Sequence, residues 1–169
     1  MIYEPTPRAI FAQTLARLRH EHKMSQEALV AQLNLQGSLL SREMYKYIEN
    51  GHGNIKVPDF IAIQNIYGIP YEEFFVGLTP SALPKSAITM LLTNPDFCEN
   101  LILLRKQHLY TQQALVDEMK NLGSPISRRV YSMVETNVRH LKTTDLVCLK
   151  QIYNVGYREF FNNSGYKNI

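Results

Sequence analysis

Apolar positions recur along this chain at helical spacing, and the whole pattern occurs twice. Phe11, Leu15 and Leu18 fall at i, i+4 and i+7, and Phe97, Leu101 and Leu104 repeat the arrangement, as one buried helical stripe requires. Ser25 and Thr111 precede "QEALVAQL" and "QQALVDEM", where a side-chain oxygen can accept from the orphan amides of a new helix. Polar turns around Gly37-Ser38 and Gly123-Ser124 follow. Ser41 and Ser127 then cap a third helix, with Tyr45 and Ile48, or Tyr131 and Val134, facing inward. Asp59 and Asp145 open a fourth, more apolar helix. "YEEFF" and "YREFF" close each set, their paired phenylalanines expected to plug the bottom of a small core. No segment alternates with the period of a strand for long enough to matter, so the predicted fold class is all-α.

The two sets are copies. Sliding the chain by 86 residues lays "SREMYKYIENG" (Ser41 to Gly51) over "SRRVYSMVETN" (Ser127 to Asn137), and the register runs without a gap from Phe11/Phe97 to Phe75/Phe161. About 23 of about 65 aligned positions are identical, which identifies a tandem duplication. The predicted organisation is a first domain at 1–76, a linker at 77–95 and a second domain at 96–169. The linker contains Pro80, Pro84 and Pro95 and is predicted to carry one short helix, about Ser86 to Leu92. The second copy has lost the Asn-Gly of "IENG", and its loop after the third helix is expected to have drifted.

The chain has 169 residues, 45% hydrophobic and 20% charged, which excludes a disordered or membrane-embedded class. No apolar run approaches the roughly 20 residues of a spanning helix, and the first residues lack a signal-peptide pattern. With Cys98 and Cys148 as its two cysteines, the chain builds neither a disulfide framework nor a zinc cluster. A cytoplasmic location is the expectation. The net charge of +3 is unevenly placed. Residues 1–80 carry 7 Lys+Arg against 8 Asp+Glu, or −1, and residues 81–169 carry 11 against 7, or +4. A polyanion would feel mainly the second half.

Each copy pairs a short helix with a capped helix beginning on glutamine, a turn, and a second capped helix. In the first copy the residues are "LARLRHEHKMSQEALVAQL", Ser41-Arg42, "YIENG" and "DFIAIQNIYGI" with "YEEFF". This resembles the Xre/Cro-type, lambda-repressor-like helix-turn-helix family, in two tandem copies. The turn from Leu33 to Ser41 is longer than the usual family turn by roughly five residues, in both copies. The resemblance implies double-stranded DNA as partner, a repressor-type transcriptional regulator, and the third helix in the major groove. Its outward residues would be Ser41, Arg42, Glu43, Lys46 and Tyr47 in one copy, and Ser127, Arg128, Arg129 and Ser132 in the other. Arg42 and Arg128 suit the O6 and N7 of guanine, and Glu43 suits a cytosine amine. Arg129 stands where Glu43 does, so the two copies are expected to read different half-sites. Gln26 and Gln112 match the family glutamine that binds backbone phosphate. Lys56, Arg139 and Lys142, with His140, are further phosphate candidates.

Other residue types read as structure. Glu49 and Glu135 are taken as supports of the helix end. Tyr45, Tyr131, Tyr67 and Tyr153 are taken as core residues with a hydroxyl at the edge. His22 and His108 end the first helix of their copies, and Cys98 and Cys148 are expected to be buried and inert. No nucleophile–base pair, phosphate-cradling loop or ligand cluster is present in the sequence pattern, so no enzyme, cofactor or metal is expected. Two arrangements stay open: both copies read DNA from one chain, or the second mediates a homodimer. A rival reading makes the chain a protein-binding module that uses the same fold as an antirepressor, antitoxin or inhibitor.

Overall fold

Hydroxyl caps start the helices where the sequence places them. In the computed structural model, which describes residues 7–76 and 90–161, Ser25 accepts from the Ala28 amide at 3.0 Å and Thr111 from the Ala114 amide at 3.1 Å. Ser41 and Ser127 accept from Met44 and Val130 at 3.2 and 3.3 Å. The first copy runs α1 (Pro7–Glu21), α2 (Gln26–Leu35), α3 (Arg42–Glu49), β1 (Ile55–Lys56), α4 (Val57–Tyr67) and a 3₁₀ turn (Tyr71–Phe74). After β2 (Met90–Leu92) the second runs α5 (Pro95–Gln107), α6 (Gln112–Asn121), α7 (Arg128–Glu135), β3 (Leu141–Lys142), α8 (Thr143–Tyr153) and α9 (Arg158–Phe161).

The chain is mostly helical, compatible with the expected class, and carries one small sheet besides. A small sheet in the order β1-β2-β3 forms at the junction of the copies. The helix predicted over Ser86 to Leu92 is corrected on its last three residues, which are β2. Its first four lie outside the described residues. The backbone amides at 90–92 find partners on strands from both copies instead of within a helix. The fourth helix also starts earlier than expected. Lys56 and Lys142 are its N-cap residues without a side-chain cap bond, and Asp59 and Asp145 sit inside the first turn, buried.

Those aspartates brace the lengthened turn. Ser38 donates to Asp59 at 2.6 Å and accepts from the Leu40 amide at 3.1 Å. Ser124 repeats this with Asp145 at 2.7 Å and the Ile126 amide at 3.2 Å. The extra residues between the second and third helices are therefore anchored to the fourth in both copies. Burial pushes the Asp145 carboxyl up against the pull of the Ser124 bond.

The second loop has not drifted in backbone. Gly51 has φ 75° and Asn137 φ 59°, the left-handed region that asparagine tolerates. Lys23 and Leu109, at equivalent positions, have φ 53° and 60°, and the Leu109 side chain is 92% exposed. A leucine has no local bond to offset that conformation. Leu109→Asn is expected to raise stability by about 0.5–1 kcal/mol, read as a Tm higher by about 1–4 °C. An unchanged or lower Tm would contradict the strain. Gly53 is held by contact instead: a Cβ there would meet Ile48 Cγ1 at 2.8 Å and Tyr47 Cδ1 at 3.1 Å. Its counterpart is Arg139, opposite the smaller Val134 and the more flexible Met133.

The copies pack through one continuous apolar cluster, with reciprocal contacts. Phe75 stacks on Tyr157 with ring centroids 4.2 Å apart, and its counterpart Phe161 stacks on Tyr71, the counterpart of Tyr157, at 4.5 Å. The paired phenylalanines thus divide their tasks. Phe74 and Phe160 plug their own cores, whereas Phe75 and Phe161 reach across. Leu91 lies between equivalent residues, paired with Ile55 on one side and Leu141 on the other. Met90 donates its amide to Asn54 Oδ1 at 3.0 Å, and Thr93 donates to Nδ1 of His140, the counterpart of Asn54, at 3.2 Å. β2 is parallel to β1 and antiparallel to β3, so β1 and β3 run in opposite directions. Contacts in which i meets j and j meets i define an isologous pairing about a two-fold axis. Here that axis passes near Leu91 and is approximate.

Candidate nucleic-acid interface

A buried carboxylate organises the exposed end of each copy. Arg19 from α1 donates its Nε to Glu49 Oε1 at 2.7 Å and Nη2 to Oε2 at 3.2 Å, while Nη1 reaches the Met24 carbonyl at 2.8 Å. Glu49 also accepts from Gln26 Nε2 and from the Tyr45 hydroxyl. The second copy repeats the set except for the tyrosine, because the buried Tyr131 hydroxyl has no hydrogen-bond partner among the described residues. Arg105 donates to Glu135 at 2.6 and 3.0 Å and to the Tyr110 carbonyl at 3.1 Å, and Gln112 donates to Glu135 at 2.7 Å. Burial pushes the Glu49 carboxyl up, but the bonds from Arg19 and Gln26 outweigh it and hold it below the usual carboxylate range. The support expected of Glu49 and Glu135 is therefore a tie between three helices. Arg19 and Arg105 escaped the sequence reading, although both are among the positions identical in the two copies.

Gln26 and Gln112 are half-buried and spend one amide N–H on this carboxylate. An amide nitrogen carries two donors, so one remains at the N-terminus of α2 or α6. The tyrosine hydroxyls differ from expectation. Tyr45 and Tyr131 are fully buried rather than edge-placed, and burial drives both far above the ordinary phenol range.

The third helices bury one side and expose the other. On α3, Tyr45, Ile48 and Glu49 are buried, and Ser41, Arg42, Glu43, Lys46 and Tyr47 are exposed. On α7, Tyr131, Val134 and Glu135 are buried, Ser127, Arg128 and Arg129 exposed, and Ser132 half-buried. The exposed faces are not alike. Arg42 Nε pairs with Glu27 Oε1 at 2.7 Å, and Tyr47 stacks on His52 at 5.5 Å. In the second copy the counterpart of Glu27 is Gln113, which donates to Asp117 at 2.9 Å. Among the described residues no carboxylate is paired with Arg128 or Arg129.

Lys56 is exposed at the end of β1, Lys142 half-buried at the end of β3, and Arg139 exposed just before it. The phosphate candidates thus gather where the loops after α3 and α7 meet β2. His140 is tied to it, because a backbone N–H can only donate and its bond from Thr93 makes Nδ1 an acceptor. Only Nε2–H is left for another partner.

Among the described residues no group of three or more His, Cys, Asp or Glu side chains could hold a metal ion, and no helix is long and apolar enough to cross a membrane. Cys98 donates to the Val134 carbonyl at 3.0 Å, and burial pushes the Cys148 thiol up to about 12. A cleft of about 860 Å³ that the sequence did not announce lies between the copies, lined by Ile61, Asn65, Tyr71, Glu72, Arg158 and Phe161 among others. Comparison with known proteins found no matching family model, curated protein or solved structure.

Proposed function

We propose that the chain is a sequence-specific, double-stranded-DNA-binding transcriptional regulator of repressor type that acts in the cytoplasm without enzymatic chemistry. Its two copies serve as tandem lambda-repressor-like helix-turn-helix units, α2–α3 and α6–α7, with the third helix of each in the major groove. One observation carries the reading. In both copies a half-buried glutamine at the start of one helix, bonded to the buried Arg–Glu tie, precedes an exposed arginine at the start of the next. The glutamine amide and the helix N-terminus suit a phosphate, and the arginine reaches past the backbone to a base edge.

Duplex selection from random DNA, followed by titration at two salt levels, tests this. Binding tighter than about 1 μM at physiological salt, and a loss of about 10³-fold or more between 50 and 200 mM salt, are the expected results. Arg128→Ala should cost about 1–3 kcal/mol and relax base preference at one position of the selected site. If no selected duplex binds below micromolar, the reading is wrong.

A second reading has its own observation. Arg42 is neutralised by Glu27, and Leu35 and Leu39 nearby are 88% and 94% exposed, a surface that suits a protein partner better than a phosphate backbone. It predicts loss of partner binding, and unchanged DNA binding, in Leu39→Ser.

A further inference from the structure

We infer that the DNA target is a single site with two inverted, unlike half-sites, bound by one chain, and that the second copy is its stronger reader. The inference rests on the regulator reading and adds the geometry and order of the two contacts.

The inversion follows from the pairing of the copies. Phe75–Tyr157 and Phe161–Tyr71 are the same contact made twice with the partners exchanged. Asn54 and His140 bind opposite ends of β2, and β1 and β3 run antiparallel across it. Such a pair is related by rotation about an axis, not by translation along the chain. A protein with a two-fold axis reads two half-sites in inverted orientation, because B-DNA has its own dyads perpendicular to the helix axis. A tandem repeat alone would allow direct repeats; this packing does not.

The inequality follows from three substitutions on scaffolds of the same fold: Glu27 to Gln113, Glu43 to Arg129 and Lys46 to Ser132. Gln26, Glu27, Ser41, Arg42, Glu43 and Lys46 carry two bases and two acids, summing to zero. The corresponding Gln112, Gln113, Ser127, Arg128, Arg129 and Ser132 carry two bases and no acid, summing to +2. In the first copy Glu27 engages Arg42, so that arginine must exchange a carboxylate for a base. Glu27 also places a negative charge at the start of α2, against incoming phosphate. Arg128 has neither obstacle. Glu27 therefore sets the affinity of the first copy: it weakens that copy for all sequences and leaves it useful only where the second is already seated.

The test uses the full chain and the duplex selected above. The expected site has two unlike half-sites in inverted orientation, with sedimentation giving one chain per duplex. Scrambling the half-site read by α7 should cost at least about tenfold more affinity than scrambling the other. Glu27→Gln should tighten binding by about twofold to fivefold, and Gln113→Glu should weaken it by a similar factor. Each change narrows the gap between half-sites, and both residues are exposed, so circular dichroism and Tm should be unchanged. Direct repeats, two chains on one site, equal costs for the two half-sites, or no effect of Glu27→Gln would each overturn the inference while leaving DNA binding intact. Absence of any selected duplex would overturn the regulator reading and this inference with it.

Discussion

Glu49→Ala is expected to lower stability by about 3–5 kcal/mol, against a total margin of about 5–15 kcal/mol for a folded domain. The loss comes from what is left behind. Arg19, its side chain 11% exposed, would keep a buried positive charge without its partner, and the Gln26 amide and Tyr45 hydroxyl would each lose an acceptor. Glu49→Gln keeps the shape and one acceptor, so it should cost about 1–3 kcal/mol. The pH dependence has a definite sign. The fold holds the Glu49 carboxyl below its ordinary value, so the ionised form stabilises the native state. That contribution is fully present above the unfolded pKa of about 4.3 and is lost as pH falls through the lower folded value. Denaturant titrations from pH 3 to 7 should show a shallower acid decline in Glu49→Gln than in the parent. A loss below about 1 kcal/mol in Glu49→Ala would mean that Arg19 regains water.

Phe161→Ala is expected to cost about 3–5 kcal/mol. Its ring lies 4.5 Å from Tyr71 and 5.2 Å from Phe60 in the first copy, and 5.5 Å from Phe97 in its own. Removing it opens both cores and breaks one of the two reciprocal stacks, each worth about 0.5–1.5 kcal/mol beyond the area it buries. Because the ring couples the copies, the variant should unfold in two steps by calorimetry where the parent unfolds in one. A single transition with a Tm shift under about 2 °C would show that the sheet alone holds the copies together.

The helices were readable because local signals suffice for them. A serine or threonine before an apolar period marks each α2–α3 and α6–α7 start, and those caps form as written. What sequence periodicity misses is non-local. β2 is three residues long and takes its partners from positions 36 residues earlier and about 50 later, so no alternation within it reveals a strand. Phe74 and Phe75 look alike in sequence, yet Phe74 packs on Phe60 of its own core, whereas Phe75 bridges from Phe11 and Phe60 to Tyr157 of the neighbouring copy. The site divides the same way. The exposed row on α3 follows from helix spacing, but the Arg42–Glu27 pair joins two helices and the Arg19–Glu49 tie spans 30 residues. The duplication itself carried part of that information, since Arg19/Arg105, Gln26/Gln112, Glu49/Glu135, Ser38/Ser124 and Asp59/Asp145 are identical pairs whose contacts also repeat.

The shared strand β2 has a consequence for assembly by mass action. Two subunits that pair reciprocally separate on dilution, and their melting temperature depends on how much protein is present. Here the partner surface is covalently attached, so the pairing of Phe75 with Tyr157 and of Phe161 with Tyr71 persists at any dilution. The melting temperature should be flat across a hundredfold range of protein concentration. The occupancy of a target by such a chain would rise hyperbolically with dose, without the threshold that a dissociating dimer imposes.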